Sequence, residues 1–440
     1  MSPSRASSKT LSSFALLETF LNDCPSQWHA SGFIDQELKK AGFKKLTSFQ
    51  GPYQESAGYY VEIGPGARLA FRAKSKASSL SLIGCHSESP MLRVKENGLF
   101  QEEGVWIAHV EPYGSPILAS WMYKDLGLCA RVISKTNKGL NERLINIAEP
   151  LGLLLSPAIH LDRDINQKGL VLDKQKHLKV LMGSAQTPKH PLLTKTEERM
   201  EGENIFSYEL YFYPLEKAKS LALDSQWIAS WRIDNLASCS ACLEALLESS
   251  HDNNSPLTFT LFADHEEIGS QTYAGAASSR YRELIDEILL GLGYGSSQIA
   301  QLKSEALFYS VDGAHGLHPA YKELYETRHA PKLGEGVVVK VNPSGRYSSD
   351  ARTIARLKWM AAKANLPLQS FHMRADLPCG TTIGPILCTS LGVEGVDIGL
   401  AQLAMHASRE MMHLKDYEDL VSLLKLAHLH SAPCVQSLTS

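Results

Sequence analysis

From about residue 227 to the end of the chain, short apolar runs of strand length alternate with longer segments of helical period. The helical stretch "NLASCSACLEALLESS" is followed by the strand "LTFTLFA", the helix "YRELIDEILLGL" and the strands "EALFYSVD" and "GVVVKVN". Three further helical segments close the chain: "SDARTIARLKWMAAKANL", "TTIGPILCTSLG" and "DYEDLVSLLKLAHLH". A chain ordered this way has few options. Its strands form a mainly parallel sheet and its helices cover both faces. The N-terminal part fits the same plan, with helical "LSSFALLETFLNDC" and "HASGFIDQELKKAGF" before a strand "SLSLIGCH" that ends at His86.

The stretch from about 94 to 226 differs. It holds short β-like runs (VWIAHVEPYG, LGLCARVISK), Lys-rich polar loops such as "LVLDKQKHLKVLMGSAQTPKHP", and few long periodic helices. The predicted organisation is therefore an α/β domain in two parts, 1–93 and 227–440, interrupted by a β-rich domain at 94–226. The length of 440 residues, more than a single core comfortably fills, agrees with that division.

A formal net charge of -3 gives no electrostatic reason to expect nucleic acid or a membrane surface as partner. No apolar run approaches the roughly 18–20 residues that span a bilayer. The N-terminus lacks the sustained apolar core of a signal peptide. Eight cysteines over this length do not make a disulfide framework. Cys239 and Cys242 form a CxxC, but within an Ala-rich helical pattern that reads as a packed helix face. The cytoplasm is the expected compartment.

In a parallel α/β sheet, functional groups collect at the carboxyl ends of strands. The run "LFADHEEIGS" ends a buried strand with two adjacent carboxylates, Glu266 and Glu267. Four other polar clusters fall at strand ends or adjoining loops. They are "GCHSESP" (His86, Glu88), "WRIDNLAS" (Asp234), "SVDGAHGLHP" (Asp312, His315, His318) and "IGLAQLAMHASRE" (His406). Each alone has a bland reading: a solvated loop, a core histidine, a helix N-cap at Asp234. Together they need a compensating cation, because burying so many ionisable groups is costly. Two imidazoles and three carboxylates suit two divalent ions of the zinc type. Without a local signature such as HExxH, spacing alone goes no further than a candidate metal site.

In order along the chain, "CHSESPMLRVK", "RIDNLASC", "DHEEIGS", "SVDGAHGLHP", "NPSGRYSSD", "PCGTTIGPI" and "QLAMHASRE" resemble the aspartyl aminopeptidase family of di-zinc exopeptidases. "EPYGSPILASWMYKDLGLCARVISK" and "AIHLDRDINQKG" extend the likeness through the middle region. The resemblance implies a zinc-exopeptidase-like catalytic domain and an inserted β-rich dimerisation or lid domain. It implies metal ligands at His86, Asp234, Glu267, Asp312 and His406, with Asp234 bridging two zinc ions and Glu266 as general base. It also implies peptide substrates with an N-terminal Asp or Glu, and self-association of dimers into a dodecamer.

One position departs from the family. Glu88 stands where the family places an aspartate two residues after the histidine. It is expected to orient His86 through a shifted rotamer, with its charge required. Less specific signals are Gly380, Thr381 and Thr382 as a cleft lining. Lys340, Arg346 and Arg374 are candidates to meet an acidic side chain, and His160 matches a family position near a neighbouring subunit's site. Two other readings stay open: another amide hydrolase, such as a deacylase, on the same scaffold, and a non-catalytic assembly protein.

Overall fold

The computed structural model describes residues 8–436 except 50, 138, 187–188, 201 and 250–253. The first residues of the N-terminus, Ser250 at the end of the Ala-rich segment and two residues of the Lys-rich loop lie outside the described residues. The chain divides into two compact units. The first comprises Met1–Glu88, Lys219–Met405 and Glu410–Ser440; the second comprises Ser89–Ala218 and His406–Arg409.

The first unit is built on a nine-stranded sheet. Its centre is a run of four parallel strands in the order Leu257–Ala263, Leu80–His86, Leu307–Val311 and Glu394–Gly399. The first three are buried along their whole length, which is why they read as unbroken apolar runs instead of alternating ones. Antiparallel contacts with Ala67–Arg72 on one side and Val337–Val341 on the other end the parallel run.

Helices Arg280–Gly291 and Ile383–Leu391 contribute Leu284, Ile285, Ile288, Leu289, Ile383, Leu387 and Leu391 to a core shared with Leu82, Phe259, Leu261 and Phe308. Each such side chain stabilises the fold by roughly 1.5–3 kcal/mol on burial. Helix Ile233–Glu248 is buried through almost its whole length and packs against the strand Leu80–His86 and helix Leu414–Leu429. Its Cys239 and Cys242 are fully buried, as a packed helix face requires. A small sheet in the same unit aligns Trp227–Ser230 with Glu410–His413, setting Ser230 opposite Glu410.

The second unit carries a six-stranded, wholly antiparallel sheet in the order Gly139–Gly152, Leu126–Thr136, Ile205–Pro214, Met91–Glu102, Val105–Tyr113 and Lys179–Ser184. Its helices are short, the longest described being Pro191–Glu198. The Lys-rich stretch read from sequence as loop contains the strand Lys179–Ser184. It is an edge strand with Val180 buried and both ends polar, so its alternation is too brief to register. Among the described residues, no helix is long and apolar enough to cross a membrane.

Candidate metal centre

The register of the parallel strands sets up the site. Ala263 pairs with His86, so the turn beginning at Asp264 starts one residue past the histidine at the carboxyl edge. His265 takes a left-handed conformation (φ 60°), a single turn of 3-10 helix covers Glu266–Ile268, and Gly269 closes it at φ 94°. Val311 pairs with Ile398, which brings Asp312 to the same edge. A Cβ on Gly399 would lie 1.6 Å from the Asp312 carbonyl oxygen, so only glycine lets these segments approach.

Asp234 arrives from a different direction. It sits in the first turn of helix Ile233–Glu248 with non-helical φ and ψ of -82° and 105°. Arg232 just before it is left-handed (φ 64°). Backbone strain of this kind collects around functional sites. The Asp234 amide donates to Glu410 Oε2 at 3.1 Å, and Asn235 Nδ2 donates to the Val311 carbonyl at 2.9 Å. The neighbouring residue thus locks this turn to the strand that carries Asp312.

At the centre is the His86 ring, 1% exposed. Its Nε2 lies 3.4 Å from Asp234 Oδ1, 3.5 Å from Asp312 Oδ1 and 3.9 Å from Glu266 Oε2. Ligand atoms of His86, Asp234 and Glu267 all fall within 4.8 Å of one another. The shorter separations fit a shared ion. Two ligands about 2.0–2.1 Å from one tetrahedral zinc-type ion stand about 3.3–3.4 Å apart. The donors are one imidazole and several carboxylates, the set such an ion takes.

Electrostatics agree with that fit. Burial disfavours a charged His86 ring, yet the Glu88 carboxylate and the oxygens of Asp234 and Asp312 outweigh it and hold its pKa well above the ordinary value. Burial, opposed by His86 and reinforced by Asp312, Glu267 and Glu88, also holds the Glu266 carboxyl well above the usual range. Burial is the first cause at Glu266, and at both groups the surrounding carboxylates favour the protonated form. A divalent cation answers the same negative charge, and its binding displaces ligand protons.

Glu88 is wholly enclosed and spans two partners. Its Oε2 is 3.4 Å from His86 Nδ1, and its Oε1 accepts the Glu267 amide at 2.8 Å. The Glu88 carbonyl also lies 3.1 Å from His86 Nδ1. With Nε2 turned toward Asp234 and Asp312, Nδ1 faces these two Glu88 oxygens, which accept its N–H when that nitrogen is protonated. Glu88→Gln would turn an amide N–H2 toward that N–H, or release Glu267. Metal retention or activity is therefore expected to fall at least about tenfold, in the range for lost orienting partners. Wild-type metal content and turnover in Glu88→Gln would rule the role out. A side chain one methylene shorter reaches only one of these two partners, so Glu88→Asp should fall between Gln and wild type.

The other predicted residues are placed as follows. Lys340 is buried; its Nζ donates to the Gly313 carbonyl at 3.0 Å and lies 3.5 Å from Asp312 Oδ2 and 5.2 Å from the Tyr347 ring centre. Gly380 and Thr381 are exposed, while Thr382 is buried and caps helix Ile383–Leu391 by accepting the Gly384 amide. Arg346 is exposed, and its carbonyl accepts from Thr381 Oγ1 at 3.0 Å. Arg374 is committed to a two-bond pair with Asp376. His315 packs on Phe371, and His318 accepts the Ala320 amide and packs on Tyr321. Both stand apart from the three-residue metal cluster found among the described residues. In the second unit, His160 is exposed in a turn, and His406 Nδ1 is 3.1 Å from the Ser115 carbonyl.

Sequence reasoning missed two supports. Glu410 holds the Asp234 amide, and Cys239 donates to the His86 carbonyl at 3.0 Å. Glu410 lay inside the motif "QLAMHASRE" without a sign of its role; Cys239 looked only like a packed thiol.

A histidine–carboxylate cluster stands at the carboxyl edge of the parallel sheet, and comparison with known proteins gives the class of the chain. The profile described as aminopeptidase I zinc metalloprotease (M18) matches residues 20–427, and the chain belongs to this family. It is 34% identical over 416 residues to a probable M18 family aminopeptidase 2 of Pseudomonas savastanoi pv. phaseolicola, covering 92% of this chain and 95% of that one. The counterpart of Pseudomonas fluorescens SBW25 is 35% identical with the same coverage. Among solved structures, a chain of the Ape4 and Nbr1 complex aligns with a TM-score of 0.89 and 30% identity, covering 96% of this chain and 86% of that one. An M18 aminopeptidase from Thermotoga maritima aligns at 0.83 with 22% identity, covering 97% and 98%, and supports the fold. The yeast mApe1 dodecamer aligns at 0.82 with 20% identity, covering 96% and 97%. The protein is an M18 family aminopeptidase, a metallo-exopeptidase.

Proposed function

We propose that this aminopeptidase removes single N-terminal residues, preferably Asp or Glu, from peptides, using two zinc ions and Glu266 as general base. The observation that carries the reading is the convergence of Asp234, Asp312 and Glu266 on His86 Nε2 at 3.4, 3.5 and 3.9 Å. His86 and Asp312 would hold one ion, Glu267 with His406 the other, and Asp234 both. The assignment of His406 rests on family resemblance alone. Bound ions of this type supply Lewis acidity and a water of lowered pKa.

The chain's own groups do the rest. Glu266, close to the ligands but farther from His86 Nε2 than Asp234 or Asp312, takes the proton of the attacking water and delivers it to the leaving amine. Glu88 keeps the His86 ring and the Glu267 backbone in place. Lys340, whose ammonium donates to the Gly313 carbonyl and lies 3.5 Å from Asp312 Oδ2, is the cation proposed to meet a carboxylate of the substrate's first side chain. Aminoacyl chromogenic substrates assayed with Zn, Mn and Co test this. Hydrolysis of N-acyl but not aminoacyl substrates would favour a deacylase, and absence of bound metal would favour an assembly protein.

The β-rich middle region, 94–226, is proposed to mediate self-association in the cytoplasm, dimers building a dodecamer. Support comes from the family resemblance and from the aligned mApe1 dodecamer. Exposed Leu155, Ile159, Leu161 and Val171 in this region add apolar surface. Light scattering should give a mass several times that of one chain, and deletion of the region should give a smaller species. A monomeric intact protein would overturn the proposal.

A further inference from the structure

Two loops near Lys340, one through Arg346–Ser349 and one through Gly380–Thr382, are joined by a carboxylate to which the chemistry above gives no part. Asp397, on the strand Glu394–Gly399, is completely buried. Its Oδ2 accepts the Ser348 amide and the Ser348 hydroxyl, each at 2.6 Å, and its Oδ1 accepts the Thr382 hydroxyl at 2.5 Å. Its own amide donates to Ser349 Oγ at 2.9 Å. The carboxylate thus meets three donors, and they come from both loops.

The fold makes room for this contact. A Cβ on Gly384 would sit 2.5 Å from Asp397 Oδ2, so the helix that follows the second loop must be bare there. Capping that helix is not the purpose of Asp397, because Thr382 Oγ1 already accepts the Gly384 amide. Thr381 Oγ1 and the Arg346 carbonyl add a parallel tie at 3.0 Å. Between the tied residues lies Tyr347, whose ring centre is 5.2 Å from Lys340 Nζ, and Lys340 in turn faces Asp312.

We propose that Asp397 is a positioning residue for substrate selection. By clamping Ser348 to Thr382 it fixes Tyr347 against Lys340, and so fixes where the ammonium meets an acidic side chain. The proposal rests on the aminopeptidase reading with Lys340 beside the substrate. It predicts a separation between binding and turnover that a residue serving only stability would not produce.

The test compares wild type, Asp397→Ala, Asp397→Asn and Ser348→Ala in the full-length, metal-loaded protein. Kinetics are measured on chromogenic glutamyl and leucyl substrates, with metal content and thermal midpoint recorded for each. Asp397→Ala should raise KM for the glutamyl substrate at least about tenfold, the scale expected when a binding group is displaced. Its kcat should change little, its metal content should match wild type, and its preference over the leucyl substrate should shrink. Asp397→Asn should recover most of the loss, because its Oδ1 can still accept the Ser348 amide while its Nδ2 donates to Thr382 Oγ1. An Asn variant as impaired as Ala would overturn positioning by hydrogen bonds. If Asp397→Ala does not fold, Ser348→Ala, which removes one bond, must shift KM in the same direction; an unmoved KM there would overturn the proposal. A wild type inactive on every aminoacyl substrate would remove the aminopeptidase reading and this inference with it. An active wild type with an unmoved KM in folded Asp397→Ala would remove this inference alone.

Discussion

Replacing Glu266 with glutamine is expected to cut turnover by about 10²–10⁴-fold, the contribution of a positioned acid–base group. Metal content should stay near the wild-type level. Glutamine keeps the size of the side chain and its place in the 3-10 turn after His265, but it cannot accept a proton at neutral pH. The ligand-spaced atoms around His86 Nε2 are those of Asp234 and Asp312; the Glu266 oxygen at 3.9 Å stands just outside that spacing. Single-turnover and steady-state rates, with metal quantified on the same sample, check this. Near-normal hydrolysis by a metal-replete Glu266→Gln protein would remove Glu266 from the reaction.

Asp234→Ala should do something different: empty the site. Removing a direct ligand should cost more than the roughly 10–100-fold in metal affinity that loss of an orienting partner costs. Activity should fall with it. Alanine leaves the main chain, and so the hydrogen bond its amide donates to Glu410 Oε2, intact, so a loss of metal would belong to the carboxylate. Elemental analysis after dialysis, paired with far-UV circular dichroism, separates an empty folded protein from an unfolded one. A folded Asp234→Ala protein holding a full complement of metal would show that Asp234 is not a ligand. The two variants thus give opposite signatures: metal without turnover for Glu266→Gln, neither for Asp234→Ala.

The α/β plan was legible because its central strands are buried on both faces and spell continuous apolar runs, while its helices keep a clear period. What stayed hidden was what lacks such a signature. The hairpin Gly58–Gly64 and Ala67–Arg72 has glycines and mixed polarity, and the strand Glu394–Gly399 contains Asp397 at a fully buried position, which breaks any apolar pattern. The site was partly legible because carboxylates and a histidine ended predicted strands. The convergence of His86, Asp234 and Asp312 could not be seen, since it depends on strand register and on the reversal at Arg232. Lys340 shows the limit from the other side. A lysine in a strand reads as solvated along its length, yet here its stem is enclosed and its ammonium is held by Gly313 and Asp312 at the place where it is proposed to meet a substrate. Arg374 likewise looked available and is held by a neighbour two residues away.

The order of strands in the nine-stranded sheet also governs how the protein can assemble as it is made. The strand that ends at His86 needs Leu257–Ala263 and Leu307–Val311 on its two sides, and neither exists when His86 leaves the ribosome. At about 5–20 residues per second, the wait for the first of these neighbours is roughly 9–35 s. The second unit fills that interval, since all but four of its residues form one uninterrupted stretch that is complete before Lys219 is added. An apolar strand tipped with histidine therefore waits, without its sheet, while the antiparallel unit after it is already able to pair its own strands. The candidate metal cluster is a late product of synthesis, closed only when the carboxylates at 234, 267 and 312 have followed.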